Sequence, residues 1–128
     1  MGNKSYISVE YLGCSIDKLE RWIEYQFNEN MSWENYGSYW EIDHVLPVSK
    51  FDLTNEQNIY QCFNWRNLQP LEARENIRKS NKIILNMINN QILKAKKFEN
   101  EYVKETEIVN NYLQWLDQGL VFIPPSSI

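Results

Sequence analysis

The chain has a single histidine, His44, and it directly follows Asp43. Asn67 and Asn76 lie downstream, and Lys79 stands one helical turn beyond Asn76. These residue types suit hydrolysis of a phosphodiester. A water must lose a proton as it attacks phosphorus, and imidazole, with an unperturbed pKa of about 6.5, is the natural base at neutral pH. Charge building on the nonbridging and leaving oxygens calls for a divalent ion. A hard ion such as Mg²⁺ prefers oxygen ligands and keeps several waters. Asp43 offers a carboxylate oxygen and Asn76 an amide oxygen.

The elements that must position these groups read as strand, long connection, strand, helix. Residues 40–46 are rich in β-formers and closed by Pro47, which gives a strand carrying Asp43 and His44. Successive strand residues face opposite ways, so the strand end must twist or bulge for both to reach one site. Residues 67–71 form a second extended piece containing Pro70, and a helix starts near Leu71 or Glu72 and passes through Asn76 and Lys79. Between the strands, Thr54 with Gln57 makes a capping box for a short helix toward Tyr60. Upstream, residues 1–14 are a lead-in with Gly13 as breaker. Ser15 is an N-cap, and Ile16, Leu19, Trp22, Ile23 and Phe27 recur at helical spacing. Residues 28–39 form an ordered loop carrying Trp33 and Tyr36. From Ile83 two stripes appear, Ile84, Ile88, Ile92 and Ala95, then Tyr102, Thr106, Val109, Leu113 and Leu116, with Gly119 as the natural end. The tail, with Pro124 and Pro125, reads as irregular.

Composition bounds the class. A chain of 128 residues, 43% hydrophobic and 14% aromatic, supplies a core for one domain or a compact core with a helical appendage. The expected division is 1–82, 83–120 and a tail 121–128. The net charge of −4 counts against nucleic-acid binding. Residues 66–82 nevertheless gather Arg66, Arg74, Arg78, Lys79 and Lys82 against Glu72 and Glu75, a local basic footprint. Cys14 and Cys62 form no C-x-x-C pair, which argues against a zinc knuckle and for two reduced thiols in an intracellular protein. No signal peptide stands at the start, and the apolar runs fall short of the roughly 20 residues of a membrane span.

The run Trp40-Glu41-Ile42-Asp43-His44-Val45-Leu46-Pro47, then Asn67-Leu68-Gln69-Pro70-Leu71, then Glu75-Asn76-Ile77-Arg78-Lys79 resembles the HNH endonuclease family. More narrowly it resembles the free-standing HNH endonucleases of phages and large DNA viruses, which carry upstream segments similar to Leu12-Gly13-Cys14-Ser15, Gln26-Phe27 and Met31-Ser32-Trp33-Glu34-Asn35-Tyr36-Gly37. The resemblance covers roughly residues 11–82 and implies an α+β fold. Its ββα-metal (His-Me finger) core would be preceded by a helix and followed by C-terminal helices. It implies a metal-dependent endonuclease that hydrolyses DNA, leaving 5′-phosphate and 3′-hydroxyl ends. In that reading His44 is the general base, and Asp43 and Asn76 hold one divalent ion, Mg²⁺ or Mn²⁺. Asn67 ties the connecting loop and so orients the base. Lys79 is the leading phosphate contact, followed by Arg78, Arg74 and Lys82. The chain departs from the family at Glu41, often His, at Glu72, often Trp, and at Ser80, often Gly.

Plainer readings stand beside these. A lone strand histidine is often structural, and the cations of the third element are by default a solvated face. Trp33, Tyr36 and Trp40 read as core rather than as base-stacking platforms. The later stripes read most simply as packing on the core, and more sharply as a homodimer interface through the C-terminal helices. Two rival functions remain: a catalytically retired HNH-like module that binds nucleic acid or protein, and a structural protein whose helices drive assembly. The intact set Asp43, His44, Asn67 and Asn76 favours the enzyme.

Overall fold

The computed structural model describes residues 9–122, with side chains to Gln118. It is a mixed α+β structure that divides into two units, Met1–Ala95 and Lys96–Ile128. The first unit therefore reaches past the boundary expected at residue 82.

In the first unit, α1 (Val9–Leu12) lies inside the segment read as a lead-in and meets α3 (Glu56–Phe63) through Tyr11 and Tyr60, whose rings are 4.9 Å apart. Gly13, at φ +71°, ends α1. Helix α2 (Ile16–Tyr25) starts as expected, with the Ser15 hydroxyl accepting from Lys18 N. It buries Trp22 and Ile23 completely. The α3 cap falls one residue later than the capping box suggests. Asn55 accepts from Gln57 N, while Thr54 turns back to Asp52. The Thr54 hydroxyl finds a carboxylate two residues upstream, which leaves the cap to its neighbour.

The sheet has two antiparallel strands, β1 (Trp40–His44) and β2 (Leu68–Glu72), in unbroken register from Trp40↔Glu72 to His44↔Leu68. Ladder bonds continue at both ends, from Val45 N to Asn67 O and from Ala73 N to Tyr39 O. Hydrogen-bonded pairs alternate in such a ladder, so Pro70, opposite Ile42, falls at a non-bonded position and its missing N–H costs no bond. The outer edge of β2 is closed by side chains instead. The Leu68 carbonyl accepts from Trp22 Nε1 at 3.0 Å, Gln26 Nε2 at 3.2 Å and Gln91 Nε2 at 3.0 Å. These donors satisfy a buried edge that would otherwise be costly. Helix α4 (Ala73–Lys79) follows β2 directly.

The buried apolar core includes Trp22, Ile23, Val45, Cys62, Trp65 and Leu68. Phe27, Trp33, Tyr36 and Trp40 form a second cluster with ring centroids 4.5–6.2 Å apart. The core expected of these aromatics is met by the fully buried Trp40, whereas Tyr36 is half-buried and Trp33 is 40% exposed at its rim. Cys14 and Cys62 are not joined in a disulfide, and burial pushes the Cys62 thiol up to about 11.

Helix α5 (Leu85–Phe122) is one element of 38 residues, and the division between units falls within it. It passes through Gly119, which therefore does not terminate it. Helical hydrogen bonds on both sides of a glycine tolerate it at a cost of about 1 kcal/mol. In its first part the inward residues are Gln91 and Ala95, while Ile92 is half-exposed. Of the expected stripe, Ala95 is buried and Ile84 and Ile88 are half-buried, and only Ile92 turns outward, beside Gln91, whose Nε2 donates to the Arg66 and Leu68 carbonyls. In the second unit the helix leaves Val109, Leu113 and Leu116 exposed. The expected irregular tail falls almost wholly at 123–128, outside the described residues. Among the described residues no helix is long and apolar enough to cross a membrane.

Candidate active site

Strand alternation decides what each residue of β1 faces. Glu41 and Asp43 share one face, across from Leu71 and Gln69, and α4 covers it. Trp40, Ile42 and His44 take the other. No bulge interrupts the register, so the twist or bulge expected to bring Asp43 and His44 together is not made within the strand. They are neighbours at the strand's end, with side chains on opposite faces.

Asp43 is buried, and both its oxygens are engaged. Gln69 Nε2 donates to Oδ2 at 2.9 Å, and the Lys79 ammonium stands 3.3 Å from Oδ2 and 3.4 Å from Oδ1. The same ammonium donates to the His44 carbonyl at 3.0 Å. Lys79 is 2% exposed. The expectation of a phosphate-facing Lys79 thus gives way to an interior residue that grips Asp43 and His44 together. A helical turn places Lys79 on the face of Asn76, and that face turns toward the sheet. An unpaired carboxylate there would be costly, and the ammonium supplies the countercharge.

Asn76, half-buried one turn earlier, donates from Nδ2 to Glu41 Oε1 at 2.9 Å. Asp43 and Asn76 therefore both lie between the sheet and α4. Among the described residues no group of three or more His, Cys, Asp or Glu side chains is assembled for a metal, and the oxygen-bearing side chains here are Asp43, Glu41 and Asn76.

The His44 ring meets Phe63 edge-on at 5.1 Å. Burial lowers its pKa below the ordinary 6.5, and Lys79 lowers it further, against a raising effect of Asp43. Burial thus favours the neutral form of the imidazole. Its Nε2 is buried with no partner among the described residues.

Asn67 directly precedes β2. Its Oδ1 accepts from Leu46 N at 2.9 Å, and its Nδ2 donates to Leu46 O at 3.1 Å and Cys62 O at 3.0 Å. One amide thereby ties the chain just after His44 to the end of α3. An open groove of about 640 Å³ borders this clamp, lined by Val45, Leu46, Tyr60, Arg66 and Asn67 among others. Asp43, His44 and Asn76 do not line it.

Arg74, Arg78 and Lys82 are exposed, and Arg78 is paired with Glu75 on its own helix. Sequence reasoning missed Gln69 and left Glu41 without a role. The signal for Gln69 is its position opposite Asp43 once the two strands are paired.

No family model matches the chain, and no solved structure matches it. It is similar to two uncharacterized proteins of Acanthamoeba polyphaga mimivirus. Uncharacterized protein L426 is 54% identical over 99 residues, which is 75% of this chain and 44% of that protein. Uncharacterized protein L246 is 34% identical over 94 residues, 65% of this chain and 42% of that one. The chain spans less than half the length of these curated relatives.

Proposed function

We propose that the chain is a metal-dependent endonuclease of the HNH, or ββα-metal, type that hydrolyses phosphodiester bonds in DNA. The observation that carries the reading is the order and contact of β1, β2 and α4. Asp43 and His44 end one strand, Asn67 clamps the loop behind them, and Asn76 faces the sheet from the following helix. The viral origin of both relatives accords with the mobile-element or viral setting that the resemblance implies.

In this reading the scissile phosphate sits at the end of the sheet, where side chains of both faces can be reached. His44 takes the proton from the attacking water. Burial favours the neutral form that a base requires. Its Nε2 is enclosed, which leaves Nδ1 to meet the water. Asn67 fixes the backbone at Leu46 and so the direction of the ring. Arg74, Arg78 and Lys82 line the outward side for phosphate contact.

Asp43 and Asn76 suit a hard divalent ion, Mg²⁺ or Mn²⁺, in the chemistry of their oxygens. Such an ion supplies stabilisation of charge on the phosphate oxygens. Asp43 is already held by Gln69 and by the Lys79 ammonium, so an ion there would have to share the carboxylate with Lys79 or displace it. The exposed stripe of Val109, Leu113 and Leu116 supports pairing of two copies, which gives a small nuclease two centres for two strands.

Supercoiled plasmid at low salt tests the reading. The expected result is nicked or linear product with Mg²⁺ or Mn²⁺ and none with EDTA. Intact plasmid under both ions, on targets of varied sequence, overturns it in favour of a binding module without catalysis.

A further inference from the structure

Glu41 stands two residues before Asp43, so both carboxylates lie on the face of β1 that α4 covers. Glu41 Oε1 accepts a hydrogen bond from Asn76 Nδ2 at 2.9 Å. An ionised carboxylate only accepts, whereas an amide has a donor end and an acceptor end. The contact therefore decides which end of Asn76 turns toward Glu41. Asn76 Oδ1 is left with no hydrogen bond among the described residues.

We propose that Glu41 is a positioning residue: its carboxylate holds the Asn76 amide with the oxygen presented to a divalent ion. The inference rests on the reading above and extends it to a residue outside the ligand pair. The terminal torsion of an asparagine is broad and has little preference of its own. Without a fixed acceptor, the amide would spend much of its time offering its NH₂ group, which cannot ligate a cation. Partners that orient a ligand in this way are typically worth about 10–100-fold in metal affinity. Glu41 stands where His is frequent in the resembled family, and the structure gives the carboxylate a task in its own right.

Three variants of the full chain test this: Glu41→Gln, Glu41→Ala and Glu41→Lys. Mn²⁺ binding is followed by electron paramagnetic resonance, and cleavage by titration of the ion. Glu41→Ala is expected to weaken Mn²⁺ binding by about 10–100-fold. The loss should appear in the ion concentration needed for cleavage and not in the rate at saturating ion. Glu41→Gln should bind nearly as the wild type, because an amide oxygen still accepts from Asn76. Glu41→Lys offers only donors, draws Oδ1 inward and should bind no better than Glu41→Ala. Equal Mn²⁺ affinity in all three variants overturns the inference. A fall in Glu41→Gln as deep as in Glu41→Ala also overturns it, since the charge rather than the held amide would then matter. A wild type that binds no Mn²⁺ is a separate result, which removes the metal site itself. Should Glu41→Ala fail to fold, the contrast between the Gln and Lys variants carries the same decision.

Discussion

Between Trp40 and Lys79 the chain buries charge, and between Val103 and Gln118 it exposes hydrocarbon. Asp43, Gln69 and Lys79 are 8%, 6% and 2% exposed, and each is held by named partners. In the later helix Ile108, Tyr112 and Trp115 are all more than half exposed. Buried polar groups cost free energy unless their geometry is satisfied, so such groups specify one arrangement. Exposed apolar groups specify little and keep a driving force in reserve. The first region is thus built for precision at one place, and the second for a surface that something else can cover.

The largest effect that would break this contrast belongs to Lys79. Lys79→Met strands the Asp43 carboxylate in the interior and should cost about 3–5 kcal/mol, read as a drop in the urea midpoint. A variant as stable as the wild type that loses only DNA affinity would put Lys79 back among the surface contacts. Next comes Asn67→Ala, which leaves the Leu46 amide and the Leu46 and Cys62 carbonyls without their partner. A stability loss of about 1–3 kcal/mol is expected by the same denaturation, with cleavage falling further than stability.

Smaller and opposite in sign is Ser80→Gly. Ser80 caps α4 at φ 51° and ψ −129°, a region in which a side chain is strained. Glycine should raise stability by about 1 kcal/mol, read as a higher melting temperature. The smallest effect on stability belongs to the second region. Leu113→Glu combined with Leu116→Glu should change the folding free energy by about 0.5 kcal/mol or less, since both side chains are exposed. In sedimentation the double variant should be monomeric and the wild type dimeric. A monomeric wild type would remove the paired-helix proposal and leave the stripe for another partner.

Much of the first region was legible in the sequence because local rules govern it. The Ser15 cap, the strand before Pro47 and the helix after β2 follow from short-range pattern. The role of Asn67 came through the resemblance, and its three hydrogen bonds fall on the loop that the resemblance implies. What escaped depends on pairing across the chain. Helical spacing groups Lys79 with Asn76 but does not say that their face turns inward. Gln69 matters only once it stands opposite Asp43, and Gln91 only once the Leu68 carbonyl needs a donor. The Asn55 cap and the continuation through Gly119 were contests between near-equal local options.

The most direct test of the central claim compares wild type with His44→Ala on supercoiled plasmid in Mg²⁺, with melting curves recorded on the same samples. The account predicts product from the wild type alone, at closely similar melting temperatures. Cleavage by His44→Ala at the wild-type rate would contradict it, because no other imidazole in the chain could serve as the base.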